Sequence, residues 1–318
     1  HRRILAEWLG LPSGLLALAD GPVAVLAVSG VRGAGFGMMT VAGSALVAEL
    51  APPGMLGRAT SLIGLAVGIS EAIFLPVGLW LLEVFGLATV AWGATAFGVV
   101  GLLAAARLPD VHPAPPGRAD PSPLSRSAAL VLLAGPFLVM VAVSLPYGAA
   151  ASFLSPALDS IATGSGAVVA GVGLGLLGVG VIVGRTVAGL ISDRRGPGAL
   201  VWPGLAVSAL GMGGIAGLLS VSADPWWFIA PAVVFGLGFG AVQNEALVSS
   251  FERMPRSRLG TASASWNISF DAGTGLGSVV MGGFAGFGYV VLFTVAAGVV
   301  LVVGGPAAVG TRRTKVNS

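Results

Sequence analysis

Three ionisable side chains sit deep inside long apolar runs, where a charge has to have a reason to be. Glu71 lies about halfway along the run 59–82, Asp271 about halfway along 259–284, and Arg32 within 23–47. An ionised group at mid-bilayer depth costs about 2.5–3.5 kcal/mol on insertion scales, and one retained there is functional by default. A carboxylate in an apolar, intermittently wetted site can exchange a proton near neutral pH. Proton uptake and release by Asp271 or Glu71 is therefore the chemistry these positions permit. The competing assignment is a structural pair, for instance Arg32 with one carboxylate, that only holds helices together. Asn267 precedes Asp271 by four residues, so the two share a helix face, with Trp266 beside them.

Further polar groups could meet a solute. Gln243-Asn244-Glu245, in the run 226–250, either lines a cavity or ties two helices by polar contacts worth about 0.6–2 kcal/mol. Pro146-Tyr147-Gly148 is expected to break the run 128–152 near such a cavity; an ordinary proline kink is the alternative.

The elements that must hold these residues are set by composition. Hydrophobic residues make up 55% of the 318 and charged residues only 9%, with mean hydropathy +0.95. Soluble domains carry about 25% charged residues, so this chain is read as an all-α, polytopic membrane protein. Apolar runs recur at 4–19, 23–47, 59–82, 88–106, 128–152, 166–191, 199–220, 226–250, 259–284 and 288–306, which predicts ten spanning helices. The runs are too long and too evenly apolar for barrel strands. There are no cysteines, which excludes disulfides and thiol catalysis, and only two histidines, His1 and His112, both in expected loops. A metal site, a bound cofactor and an enzyme active centre are not expected.

Alternating the loops between two sides sorts the charges. Every base except Arg32 and Arg185 falls on one side, and the other side holds only Asp20, Glu83, Asp159 and Asp224. The positive-inside rule makes the basic side, with both ends of the chain, cytoplasmic. The pI near 10.2 is then accounted for without nucleic acid; the lipid bilayer is the expected partner, and a basic patch facing anionic headgroups is a minor addition.

The expected domains are a bundle over 1–106, a Pro-rich linker over 107–127, a six-helix bundle over 128–306 and a cytoplasmic tail over 307–318. Shifted by 203 residues, Gly33, Gly35, Phe36 and Gly37 fall on Gly236, Gly238, Phe239 and Gly240, and Glu49, Pro52, Gly57 and Ala59 on Glu252, Pro255, Gly260 and Ala262. The same shift puts Asp271 on Gly68, one turn before Glu71, so the two carboxylates are expected to face a shared cavity from opposite halves. Two pseudo-symmetric bundles related as parallel repeats follow.

One loop stands out between the apolar runs. Gly184-Arg185-x3-Gly189-x3-Asp193-Arg194-Arg195-Gly196 has the pattern G-R-x3-G-x3-D-R-x-G. It resembles the signature loop of the major facilitator superfamily of secondary transporters, and the chain is identified as a member of that family, similar to bacterial drug and sugar efflux permeases. The resemblance implies a twelve-helix fold. Because His1-Arg2-Arg3 resembles the end of the other copy of the loop, two helices are expected to precede His1. It also implies that Asp193 latches the outward-facing state against the start of a helix in the other half. The candidate is the start of 59–82, near Arg58 and Ala59, with Arg185 placed to hold Asp193. Arg32, in Arg32-Gly33-Ala34-Gly35-Phe36-Gly37, matches the family's fourth-helix arginine, which implies proton transfer or solute contact. The stretch Gly68–Gly78 keeps a Gly, a Pro and a Gly of the family's antiporter signature but not its spacing.

The expected function is proton-coupled export of a small organic molecule, by a monomer in the cell (inner) membrane, with the proton gradient as energy source. A transporter-like sensor or assembly partner that moves nothing is the second class. Neutral substitutions at Asp271 and Glu71 separate the two.

Overall fold

A computed structural model describes residues 11–19, 21–105, 125–162 and 166–311, excepting a few side chains, those of Glu71 and Glu83 among them. Among the described residues every regular element is helical. After a 3-10 turn at Leu11–Ala17 come α1 (Pro22–Leu50), α2 (Leu56–Ala105), α3 (Arg126–Asp159), α4 (Gly166–Arg195), α5 (Val201–Ser220), α6 (Ile229–Glu252), α7 (Leu259–Ala285) and α8 (Tyr289–Thr311). His1, Asp20, His112 and most of the linker 107–127 lie outside the described residues.

Among the described residues, seven helical segments are long and apolar enough to cross a membrane: Pro22–Leu50, Val84–Gly101, Arg126–Asp159, Val168–Arg195, Val201–Ser220, Pro225–Glu252 and Tyr289–Val309. Leu56–Ser70 is apolar but shorter. α7 is not among the seven; it carries Trp266, Asn267, Ser269 and Asp271 in its middle. The 50 residues of α2 would extend about 75 Å as one straight helix, more than twice a bilayer core. Gly86, at φ 77° and ψ 173°, interrupts it with a conformation only glycine adopts easily, between the runs read as 59–82 and 88–106.

α3 corrects one expectation. It runs unbroken through Pro136, Pro146 and Pro156, so Pro146-Tyr147-Gly148 does not end the helix. A buried proline costs a backbone bond, but packing on both sides outweighs a local preference when neighbours supply the contacts. Pro146, Gly148, Ala149 and Ala150 are all buried.

The chain divides into two compact units, His1–Gly43 with Glu71–Ser125, and Ser44–Ser70 with Arg126–Ser318. In the first, Gly14 lies against Trp92, and Phe74 meets Phe97 edge to face at 5.1 Å. In the second, α4 packs along α6, α3 along α7, and α5 and α3 against α8. Small residues set the closest of these approaches, as expected where lipid removes the hydrophobic drive between helices. Gly180 and Gly184 on α4, one turn apart, face Gly236 and Gly240 on α6; a Cβ on Gly180 would stand 2.7 Å from the Val233 carbonyl, and one on Gly240 would strike the Val181 backbone. Replacing Gly240 by Val is therefore expected to cost about 1–3 kcal/mol and to lower the melting temperature by roughly 2–12 °C in a thermal unfolding scan. Gly213→Val, at a glycine with open space around it, leaves the melting temperature unchanged.

Candidate functional site

The second unit gathers the signature loop, the start of α2 and the polar residues of α6 into one layer. Gly57 and Arg58 belong to the first turn of α2, whose N–H groups have no acceptor within their own helix. Asp193, near the end of α4, supplies one: its carboxylate accepts from Gly57 N–H at 2.7 Å and from Arg58 N–H at 3.1 Å. The Arg58 Nε stands 3.5 Å from the same carboxylate, whose side chain is only 6% exposed. A carboxylate at a helix N-terminus also gains from the helix dipole. This is where the sequence places Asp193.

The spacing of the motif now has a physical cause. Arg185, Gly189 and Asp193 follow at intervals of four on one face of α4. A Cβ on Gly57 would lie 2.5 Å from the Gly189 carbonyl, and one on Gly189 would strike Gly57 and come within 3.0 Å of Ser61 Cβ. Gly189 lets the two backbones touch, and Asp193, one turn on, caps the end of α2. Gly184 serves the other side of α4, against Leu237 and Ala241 of α6. Arg194 and Arg195 are exposed, and Gly196 turns the chain with φ 85°.

Arg185 does not hold Asp193. Helical side chains lean toward the N-terminus, which carries Arg185 away from a residue two turns later. It is buried, donating to Gln243 Oε1 at 2.5 Å and to the Thr60 carbonyl at 3.2 Å. Gly64 leaves room for it, since a Cβ there would run into the guanidinium. Its Cζ lies 5.9 Å from the Trp266 ring, and Trp266 Nε1 donates to the Gln243 carbonyl at 3.0 Å. Thr60 Oγ1 is 3.0 Å from Asn244 Oδ1 and 2.9 Å from the Leu56 carbonyl. The Thr60 hydroxyl is placed to donate to either oxygen, and Asn244 Nδ2 finds no partner among the described residues.

Glu245 is fully buried and accepts from Gly198 N–H, where the loop with two left-handed glycines enters α5. Its Oε1 finds no partner among the described residues. Gln243, Asn244 and Glu245 thus all join elements of the second unit. Thr60 and Gly64 went unread in the sequence, although the run Gly57-x2-Thr60-x3-Gly64 carries small residues at the spacing of a contact face.

The remaining candidates lie along α3, α6 and α7. Tyr147 stacks on Phe239 with centroids 4.7 Å apart and planes 1° apart, and Phe270 stacks on Trp266 at 5.9 Å. Asn267 is buried and donates to the Ser263 carbonyl at 2.9 Å. Asp271 is exposed and follows Phe270 on α7, spaced so that Asn267, Asp271, Thr274 and Ser278 fall on one helix face. Arg32, in the first unit, is half-buried, and its Nε has no partner among the described residues. The Glu71 side chain is outside them.

Helices long and apolar enough to cross a membrane, and a loop whose Asp193 caps the start of α2, are the features of a polytopic membrane protein. Residues 4–278 match the sequence model of the Major Facilitator Superfamily, and the chain belongs to that family. It is a membrane transporter, not an enzyme. The fold is similar to the crystal structure of a bacterial homologue of the iron transporter ferroportin in its outward-facing state. The TM-score is 0.67 at 14% identity, over 98% of this chain and 83% of that one.

Proposed function

We propose that this chain exports a small organic solute in exchange for protons by alternating access, as a monomer in the cell membrane. In this reading it has ten spans in two bundles, 1–106 and 128–306, joined by the linker 107–127, with the basic loops and both ends cytoplasmic. The observation that carries the proposal is the clasp of Asp193 on the first turn of α2. Two helices joined through capping bonds, glycine contacts and the Arg185 bond to the Thr60 carbonyl can part without unfolding either one. Parting them opens the cytoplasmic face, and closing them leaves the site facing outward.

Asp271 is assigned the coupling proton, with Glu71 and Arg32 in the same chemistry, and Tyr147, Trp266 and Asn267 contact the solute. What supports Asp271 is that it is an exposed acid in the middle of a helix in a membrane protein, with no ion-pair partner among the described residues. The fold neighbour is a homologue of an iron transporter.

The test is uptake of a panel of organic solutes into inside-out vesicles energised by a proton gradient. Accumulation that collapses on adding an uncoupler is expected. Accumulation indifferent to the gradient would remove proton coupling, and no movement of any solute would favour the sensor or assembly reading.

A further inference from the structure

At the end of the second unit that carries the signature loop, α3 and α7 begin side by side and leave a cleft of about 460 Å³. It is lined by Arg126, Ala129, Leu130, Leu133, Arg258 and Thr261. Two arginines from different elements thus line one volume, and none of its lining residues is an acid. Neither arginine has a carboxylate partner among the described residues. Both helices present their N-termini here, so two positive dipole ends add to the two charges. The first turn of α7 has no side-chain cap, because its capping position is Arg258 itself. Its leading N–H groups are therefore without the side-chain acceptor that Asp193 gives α2. Arg253 Nη1 donates to the Leu132 carbonyl at 2.9 Å and braces the loop that carries Arg258 against α3.

The apolar part of the cleft points to what the anion is attached to. Ala129 and Leu133 form a floor, 5% and 4% exposed, while Leu130 and its neighbour Val131 are 72% and 75% exposed along the outer face of α3. A free phosphate ion would use the arginines and the helix ends but would have no use for this face. We infer that the cleft binds an anionic phospholipid, its phosphate between Arg126, Arg258 and the first turn of α7 and its acyl chains along Leu130. The site is separate from the clasp, which lies on α2 and α4, and does not depend on which solute is carried. It bridges α3 to α7, the helix that bears Asn267 and Asp271, so bound lipid reinforces the wall on which those residues stand.

The whole protein in mild detergent, offered phosphatidylglycerol and phosphatidylcholine in equal amounts, decides the matter by native mass spectrometry. Each base near an anionic surface is worth a factor of about five, so retention of phosphatidylglycerol is expected to be favoured about thirtyfold. Arg126→Gln and Arg258→Gln should each lower that preference about fivefold, and the double variant should abolish it. Replacing both by Lys keeps most of it, and Arg256→Ala, exposed and outside the cleft, leaves it unchanged. The single variants remain decisive if the double variant fails to fold. Equal retention of the two lipids, or a preference that survives both single substitutions, overturns the inference. Displacement of phosphatidylglycerol by glycerol 3-phosphate at matched concentration would assign the cleft to soluble phosphates instead.

Discussion

Asp193→Asn is expected to lower gradient-driven solute flux about tenfold or more while leaving the protein folded and in the membrane. The carboxylate accepts two backbone N–H groups at 2.7 and 3.1 Å, and its side chain is 6% exposed. A hydrogen bond to a charged group contributes about 1.5–3 kcal/mol net, so losing the charge weakens the α2–α4 clasp by at least about tenfold in equilibrium terms. The neighbouring bases are expected to matter much less. Arg58 reaches Asp193 only at 3.5 Å from a side chain 42% exposed, and exposed pairs are worth about 0–1 kcal/mol. Arg58→Ala, Arg194→Ala and Arg195→Ala should each change flux less than about fivefold. Asp193→Glu should resemble Asp193→Asn, because the touching backbones of Gly57 and Gly189 leave no space for another methylene. Flux measured alongside a size-exclusion profile separates this outcome from unfolding.

Asp271→Asn should abolish uphill movement while sparing downhill exchange of the solute. One proton driven by 100 mV carries about 2.3 kcal/mol, enough to sustain a solute ratio of about fiftyfold. If Asp271 carries the coupling proton, its amide holds that ratio near one. The structure gives the substitution little to disturb: Asp271 is exposed, and the packing face of α7 is made by Trp266, Ser269, Gly273 and Gly277. The melting temperature should therefore stay close to that of the parent. Accumulation and counterflow of the same solute, measured in the same vesicles, distinguish loss of coupling from loss of binding. Asp271→Asn vesicles that still concentrate the solute would move the proton to Glu71 or elsewhere.

Helix positions were readable because runs of about twenty apolar residues have few other uses, and the described helices lie over the predicted runs. The partner of Asp193 was also readable, since a carboxylate at a loop end needs donors and the first turn of a helix has them to spare. Partners across the interior were not. Arg185 sits two turns from Asp193 in the sequence, but its side chain leans the other way and meets Gln243 and Thr60. Glu245 reads equally as a solute contact or a helix tie, because buried polar residues on a membrane helix serve both. Only the fold brings Gly198 to it. Pro146 looked like a break, since local preference says nothing of the neighbours that support the helix around it. Nor could the sequence show that Ser44–Ser70 forms one compact unit with Arg126–Ser318. The small residues that permit this, Gly57 and Gly189, advertise a close approach without naming the partner.

The most direct test of the clasp as a moving part is chemical access to Ser61, which is buried at 6% exposure one turn beyond Gly57. These 318 residues contain no cysteine, so Ser61→Cys is the one thiol among them. Its alkylation by a membrane-impermeant maleimide, presented from the side of the basic loops, reports how often α2 and α4 part. The account predicts slow labelling in Ser61→Cys alone and labelling about tenfold or more faster when Asp193→Asn is added. An unchanged rate in the double variant would contradict it, because the Asp193 carboxylate would then not be what keeps that face closed.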